Sequence, residues 1–257
     1  LDILIKGKKT HVLAATNKAC PSAIYPNYED YAYFKTDIDT NSLKSTTALL
    51  DHLKDPFVKE LYLKSLWQML RDGKLSVIAF SKLLERNLGT ETDDLIVRWL
   101  NSHVSSVLYY LPKKTKQEQA YYNDYSQRME KLVWKKLLAS KGGTELQKMW
   151  FNGFVGIANS KHSQTKILAL LGNKTRLKRH PIDQDKRWSL IRALSRSGYR
   201  TARSLINKEV KRDKSSKGQK SAMSARAAYP TWETKQKWIK KLTSSNNQSN
   251  FSDFRVI

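Results

Sequence analysis

The residues that could do chemistry here are few, and their spacing rules out most reactions. Five histidines stand at positions 11, 52, 103, 162 and 180. A zinc-hydrolase helix needs two histidines four residues apart on one face, with a glutamate between them as general base. No two of these histidines have that spacing and none is followed by Glu, so the sequence holds no such site. Cys20 stands beside Pro21, with no basic residue directly adjacent to it to activate a thiol. Gly172-Asn173-Lys174-Thr175 has a Gly-Lys-Thr flavour. It lacks the upstream glycine and the preceding strand that a phosphate-cradling loop requires. The carboxylate pairs Asp93-Asp94 and Asp183/Asp185 fall at helix starts, where the helix dipole accounts for them.

Basic and aromatic residues interleave at Trp134-Lys135-Lys136, Lys186-Arg187-Trp188 and Lys235-Gln236-Lys237-Trp238. Stacking rings beside phosphate-binding cations would suit nucleic acid. The helical spacing argues otherwise. Trp188, Leu190, Ile191 and Leu194 form one apolar face, and Trp238, Ile239 and Leu242 read likewise as core. The cations then flank the core as stems that cover it.

Net charge is +24, unevenly placed: +1 over residues 1–112, +7 over 113–172 and +16 over 173–241. Such asymmetry raises an anionic partner. The spacing of the basic residues between core positions favours a solvated helical face, with nucleic acid disfavoured as a partner. A basic α-solenoid that binds nucleic acid or a protein partner is the alternative. The single cysteine excludes internal disulfides and a cysteine-rich zinc module, and fits a reducing, cytoplasmic setting. No run approaches the ~18 apolar residues of a membrane span, so no membrane partner is expected. The chain begins at Leu1 and is expected to be part of a longer polypeptide.

The elements that must position any site divide at about residue 38. Leu1–Ile5 and Thr10–Leu13 flank a Lys6–Lys9 turn signal, which predicts a hairpin, and Tyr31–Ile38 reads as an aromatic-rich strand. From residue 39 the pattern is helical. Asp55-Pro56 is a cap with proline at the first helical position, and Gly73 closes that helix. Further starts lie at Ser42, Ser76, Thr92 to Asp94, Thr115, Thr144, Ser163, Asp183 or Asp185, Arg200, Ser216 and Thr231. Helical pairs recurring every ~35–40 residues have the period of a helical-hairpin solenoid. The expected fold is mainly α: an irregular, HEAT-like α-superhelix over residues 39–245, a short β segment over 1–38 before it, and a tail over 246–257.

Three segments carry a family resemblance. They are Pro26-Asn27-Tyr28-Glu29-Asp30-Tyr31-Ala32-Tyr33-Phe34-Lys35, Asp55-Pro56 with Leu66 through Ser76, and Pro181 through Lys235. Together and in this order they resemble the C-terminal region of bacterial aminopeptidase N-type zinc metallopeptidases, the gluzincin aminopeptidases. The lysine-rich composition is similar to low-GC Gram-positive versions. The resemblance implies that residues 1–38 are the remnant of a β-sandwich domain. It implies that the helices form a bowl that covers the active site and shapes peptide access. Zinc and the catalytic residues would lie in a domain outside this chain, leaving no catalytic, cofactor or metal residue here. The implied partners are the catalytic and β-sandwich domains of the same polypeptide and the peptide substrate. Candidate contacts to the peptide's C-terminal side are Tyr109, Tyr110, Lys113, Lys114 and Arg187. A cation suits a free carboxylate, and arginine offers a bidentate fork.

Overall fold

A computed structural model describes residues 3, 4 and 7–244. The expected tail over 246–257, and most of the first arm of the expected hairpin, lie outside the described residues. The chain divides into two compact units, residues 1–83 and 84–257. Among the described residues there are eleven α-helices and one 3₁₀ turn, Leu13–Ala15, and no strand. The protein is mainly α, as the periodicity predicts.

The first unit holds α1 (Thr40–His52), α2 (Pro56–Arg71) and the start of α3 (Val77–Thr90). The Asp39 carboxylate accepts the backbone N–H groups of Asn41 and Ser42, and Asp55 accepts that of Phe57. These caps satisfy donors that have no partner inside a helix. Val58, Leu61, Tyr62, Leu66 and Met69 line the buried side of α2 at helical spacing. The helix ends as expected at Gly73, whose φ of +73° lets the N–H of Lys74 reach back to the Met69 carbonyl at 2.8 Å.

The β expectation for residues 31–38 fails, and the hydrogen bonds give the reason. The backbone of this segment is tied to side chains rather than to a second strand. The Asn27 side chain donates to the Ala32 carbonyl at 3.0 Å and accepts the Ala32 N–H at 3.3 Å. The N–H of Phe34 turns back to the Ala32 carbonyl, and that of Ile38 meets Met69 Sδ at 3.2 Å. A strand lasts only where a ladder takes up its backbone groups, and here that role falls to local turns and to α2. Thr10–Leu13, the second arm of the expected hairpin, is likewise not a strand.

The second unit continues with α4 (Asp94–Tyr110), α5 (Lys116–Ala139), α6 (Glu145–Ile157), α7 (Lys161–Leu171), α8 (Gln184–Arg196), α9 (Ala202–Arg212), α10 (Ser216–Ala227) and α11 (Trp232–Thr243). Its well-packed helix pairs are all one or two places apart in chain order, such as α5 with α6, α4 with α6, and α8 with α10. That is the packing logic of stacked helical hairpins. Two devices fix the geometry. Glu130 of α5, 2% exposed, accepts the N–H groups of Asn159 and Ser160 at 2.7 and 3.0 Å and the hydroxyls of Ser160 and Ser163. A carboxylate thus sits at the positive end of α7. Toward the chain's end Trp188, Ile191, Ile206, Ala222 and Ala225 form one core, in which the small alanines of α10 let it approach α8 closely. The indole N–H of Trp188 donates to Asp213 at 2.7 Å. No helix among the described residues is long and apolar enough to cross a membrane.

Candidate functional site

The five candidate residues fall in two places within the second unit. Four lie where α4 gives way to α5. Val107 and Leu108 bury the last turn of α4, while Tyr109 and Tyr110 point off that face, and Tyr109 is 83% exposed. The two rings meet edge-on at 6.0 Å. Pro112 then blocks continuation of the helix. Lys113 places its ammonium 4.2 Å from the Tyr122 ring centroid. The backbone N–H of Lys114 donates to Glu118 at 2.8 Å, beside the Thr115–Glu118 capping box that starts α5. The result is a fixed corner that presents two tyrosines and two lysines. It offers hydrogen-bonding phenols and cations.

Arg187 is placed differently. Its Nε and Nη2 donate to the two carboxylate oxygens of Glu209 at 2.8 and 2.7 Å, and Nη1 donates to the Leu171 carbonyl at 3.2 Å. Gln184 donates to the same carboxylate at 2.8 Å. The hydrogen bond from Arg187 leads the effects that hold the Glu209 carboxyl below its ordinary range, and burial opposes it. The guanidinium fork is therefore engaged within the fold.

Part of the basic excess is structural in the same way. Arg196 donates to the Val155 and Ala158 carbonyls at the end of α6, at 2.9 and 3.3 Å. Lys186 pairs with Asp183, and Lys217 with Asp185 at 2.6 Å. Trp188 is core as its spacing predicts, whereas Ile239 is exposed and Trp238 half-buried. α11 packs mainly on α10 and cannot bury a full apolar face.

Zinc finds no ligand set among the described residues. Among the described residues no group of three His, Cys, Asp or Glu side chains converges. His52 Nδ1 lies 2.7 Å from the Ala48 carbonyl, and His103 Nδ1 lies 2.7 Å from that of Trp99. His103 also stacks on the Trp99 ring at 4.0 Å, and His180 is buried alone against Phe151.

A cavity between α8, α9, α10 and α11 was not legible in the sequence. Its lining residues come from four helices and the turn between the last two, so they are far apart in sequence.

The geometry defines a helical-hairpin array that presents a polar corner of two tyrosines and two lysines. The sequence matches the ERAP1-like C-terminal domain family over residues 23–256, and the chain belongs to that family. It is 27% identical over 231 residues to aminopeptidase N of Streptomyces lividans. The aligned region is 90% of this chain and 26% of that protein, so the chain spans about a quarter of its relative's length.

Proposed function

We propose that this chain is the helical C-terminal part of a zinc aminopeptidase, a cytoplasmic enzyme that removes N-terminal residues from peptides. Its helices would cover the active site and govern which peptides enter. Zinc and the hydrolytic residues would belong to another domain of the same polypeptide. The family match over residues 23–256 is the observation that carries this reading.

Within the domain, the corner of Tyr109, Tyr110, Lys113 and Lys114 is the proposed contact for the peptide beyond its cleaved end. Exposed phenols and unburied ammonium groups can meet a peptide carboxylate at little conformational cost. Arg187 fits this role less well, since Glu209 and Leu171 hold its guanidinium.

The experiment is an aminoacyl-arylamide assay with added zinc, run on this chain alone and on the polypeptide extended upstream. Turnover by the extended protein alone is expected. Robust turnover by this chain alone would overturn the division of labour, and an inactive extended protein would overturn the aminopeptidase reading.

A further inference from the structure

A cavity of about 340 Å³ opens between the end of α8, α9, the end of α10 and α11. That volume suits a small organic molecule. Neither the fold nor the proposed peptide contact uses it. Two residues at its base are almost wholly buried, Ile206 and Ser195, the latter 0% exposed. The Ser195 hydroxyl has no hydrogen-bond partner. A buried hydroxyl on a helix commonly bonds the carbonyl one turn back, and this one does not. Two aromatic residues, Tyr229 and Trp238, add to the lining.

The charged residues are more telling. Arg203, Arg226 and Lys237 all line the cavity, with Glu233 as the one carboxylate. The Arg203 guanidinium lies 5.5 Å from the Tyr229 ring centroid. Arg226 donates through Nη2 to the Asn207 side chain at 3.2 Å, which leaves its other N–H groups for a ligand. Glu233 lies four residues before Lys237 on α11, the spacing of a helical ion pair, yet the two form none within 4.0 Å. The lining thus combines an anion-binding side, an apolar floor and a single acidic group.

We propose that this cavity binds a small zwitterion with a flat apolar group, of the class of a free aromatic amino acid. The carboxylate would meet Arg203 and Arg226, and the ring would lie over Ile206 between Tyr229 and Trp238. Glu233 would take the ammonium group, and the Ser195 hydroxyl would gain a polar partner. An anion without an ammonium group would leave Glu233 unpaired, and one without a ring would leave Tyr229 and Trp238 uncovered. The inference goes beyond the proposed function and needs no activity of the parent enzyme.

The test is calorimetric titration of the purified 257-residue chain with L-phenylalanine to on the order of 10 mM, since so small a ligand has limited affinity. Three probes run beside it: L-phenylalaninamide, 3-phenylpropionate and inorganic phosphate. Saturable binding of phenylalanine is expected, with the amide and 3-phenylpropionate each about tenfold weaker. Phosphate should give no saturable heat. Arg203→Ala and Arg226→Ala are each expected to weaken phenylalanine about tenfold with unchanged circular dichroism. Glu233→Gln should weaken phenylalanine and leave 3-phenylpropionate unaffected. Lys237→Gln, which removes the third cation of the lining, is also expected to weaken phenylalanine, and keeps the test open should an arginine variant misfold. Lack of saturable phenylalanine binding overturns the proposal. Equal affinity for the amide, for 3-phenylpropionate or for phosphate overturns it too, as does full affinity in both arginine variants.

Discussion

Arg187 and Glu209 join α8 to α9 through two parallel hydrogen bonds, Nε to Oε1 at 2.8 Å and Nη2 to Oε2 at 2.7 Å. Their side chains are 18% and 3% exposed, so water does little to screen the pair. Removing one partner of such a pair leaves a buried charge without compensation. Arg187→Ala should therefore cost about 3–5 kcal/mol in chemical denaturation. Arg187→Lys should recover only part, because an ammonium cannot reproduce the fork. A neutral effect of Arg187→Ala on stability would free this arginine for the peptide contact that its type suggests.

Glu130 makes a second prediction, because it bonds the start of a helix from another helix. Glu130→Ala leaves the N–H groups of Asn159 and Ser160 without an acceptor, and a loss of about 3 kcal/mol is expected. Glu130→Gln keeps one acceptor and removes the charge, and should cost about half as much. Equal stability of all three proteins in urea would mean that this contact carries no weight.

Two glycines of α6 should respond in opposite directions to alanine. A Cβ on Gly153 would come within 2.2 Å of the Asn101 side chain. That amide is held by its bond to the Met149 carbonyl at 2.8 Å. Gly153→Ala should destabilise by about 1–3 kcal/mol. Gly156 lies on the same helix with nothing within 4 Å, and Gly156→Ala should stabilise by about 0.5–1 kcal/mol. Thermal melting of the two variants side by side decides the matter, and shifts of the same sign would refute the packing argument.

His180 predicts a pH dependence. Burial, helped by the charge of Lys186, lowers its pKa from the usual value near 6.5. Its Nε2 has no hydrogen-bond partner. The unfolded chain therefore takes up a proton at higher pH than the folded chain does. Stability from this group is full above about pH 6.5 and falls as the pH drops toward the folded pKa. Melting temperatures across that window should decline in the native protein, and His180→Gln should flatten that part of the curve. An unchanged slope in the variant would remove His180 as its source.

Tyr109 tests the proposed peptide contact. Its ring is 83% exposed, so Tyr109→Ala should change stability by less than about 0.5 kcal/mol. In the full aminopeptidase the same change should raise KM for longer peptides and leave aminoacyl-arylamide hydrolysis unaffected. An equal effect on both substrates would point to a disturbance elsewhere.

Much of the helical organisation was written in local chemistry. Asp55-Pro56, Asp93, Thr115 with Glu118, Thr144 and Asp183 each start a helix where their side chains say they should. Trp188 was recognisable as core because Ile191 and Leu194 follow it at helical spacing. The segment at 31–38 was misread, because alternating aromatic residues signal a strand only when a partner strand exists. Arg187 is a candidate through the family resemblance, and the glutamate that holds it lies 22 residues away. Ionic pairing at that range leaves no trace in local pattern. The cavity residues share that obscurity, since Arg203, Arg226 and Lys237 come to one lining only once α9, α10 and α11 are folded together.

The packing of the second unit, in which helices lean on neighbours one or two places along the chain, has a dynamic consequence. Order in such an array is lent from one hairpin to the next, so it can fade from an end without collapse of the middle. α11 contributes only Thr234 as a buried residue and rests mainly on α10. Its amides should exchange with solvent well before those of α8, which has partners on several sides. Among the described helices α11 is thus the one held by least, and a molecule seated beneath it would act as a pin through it.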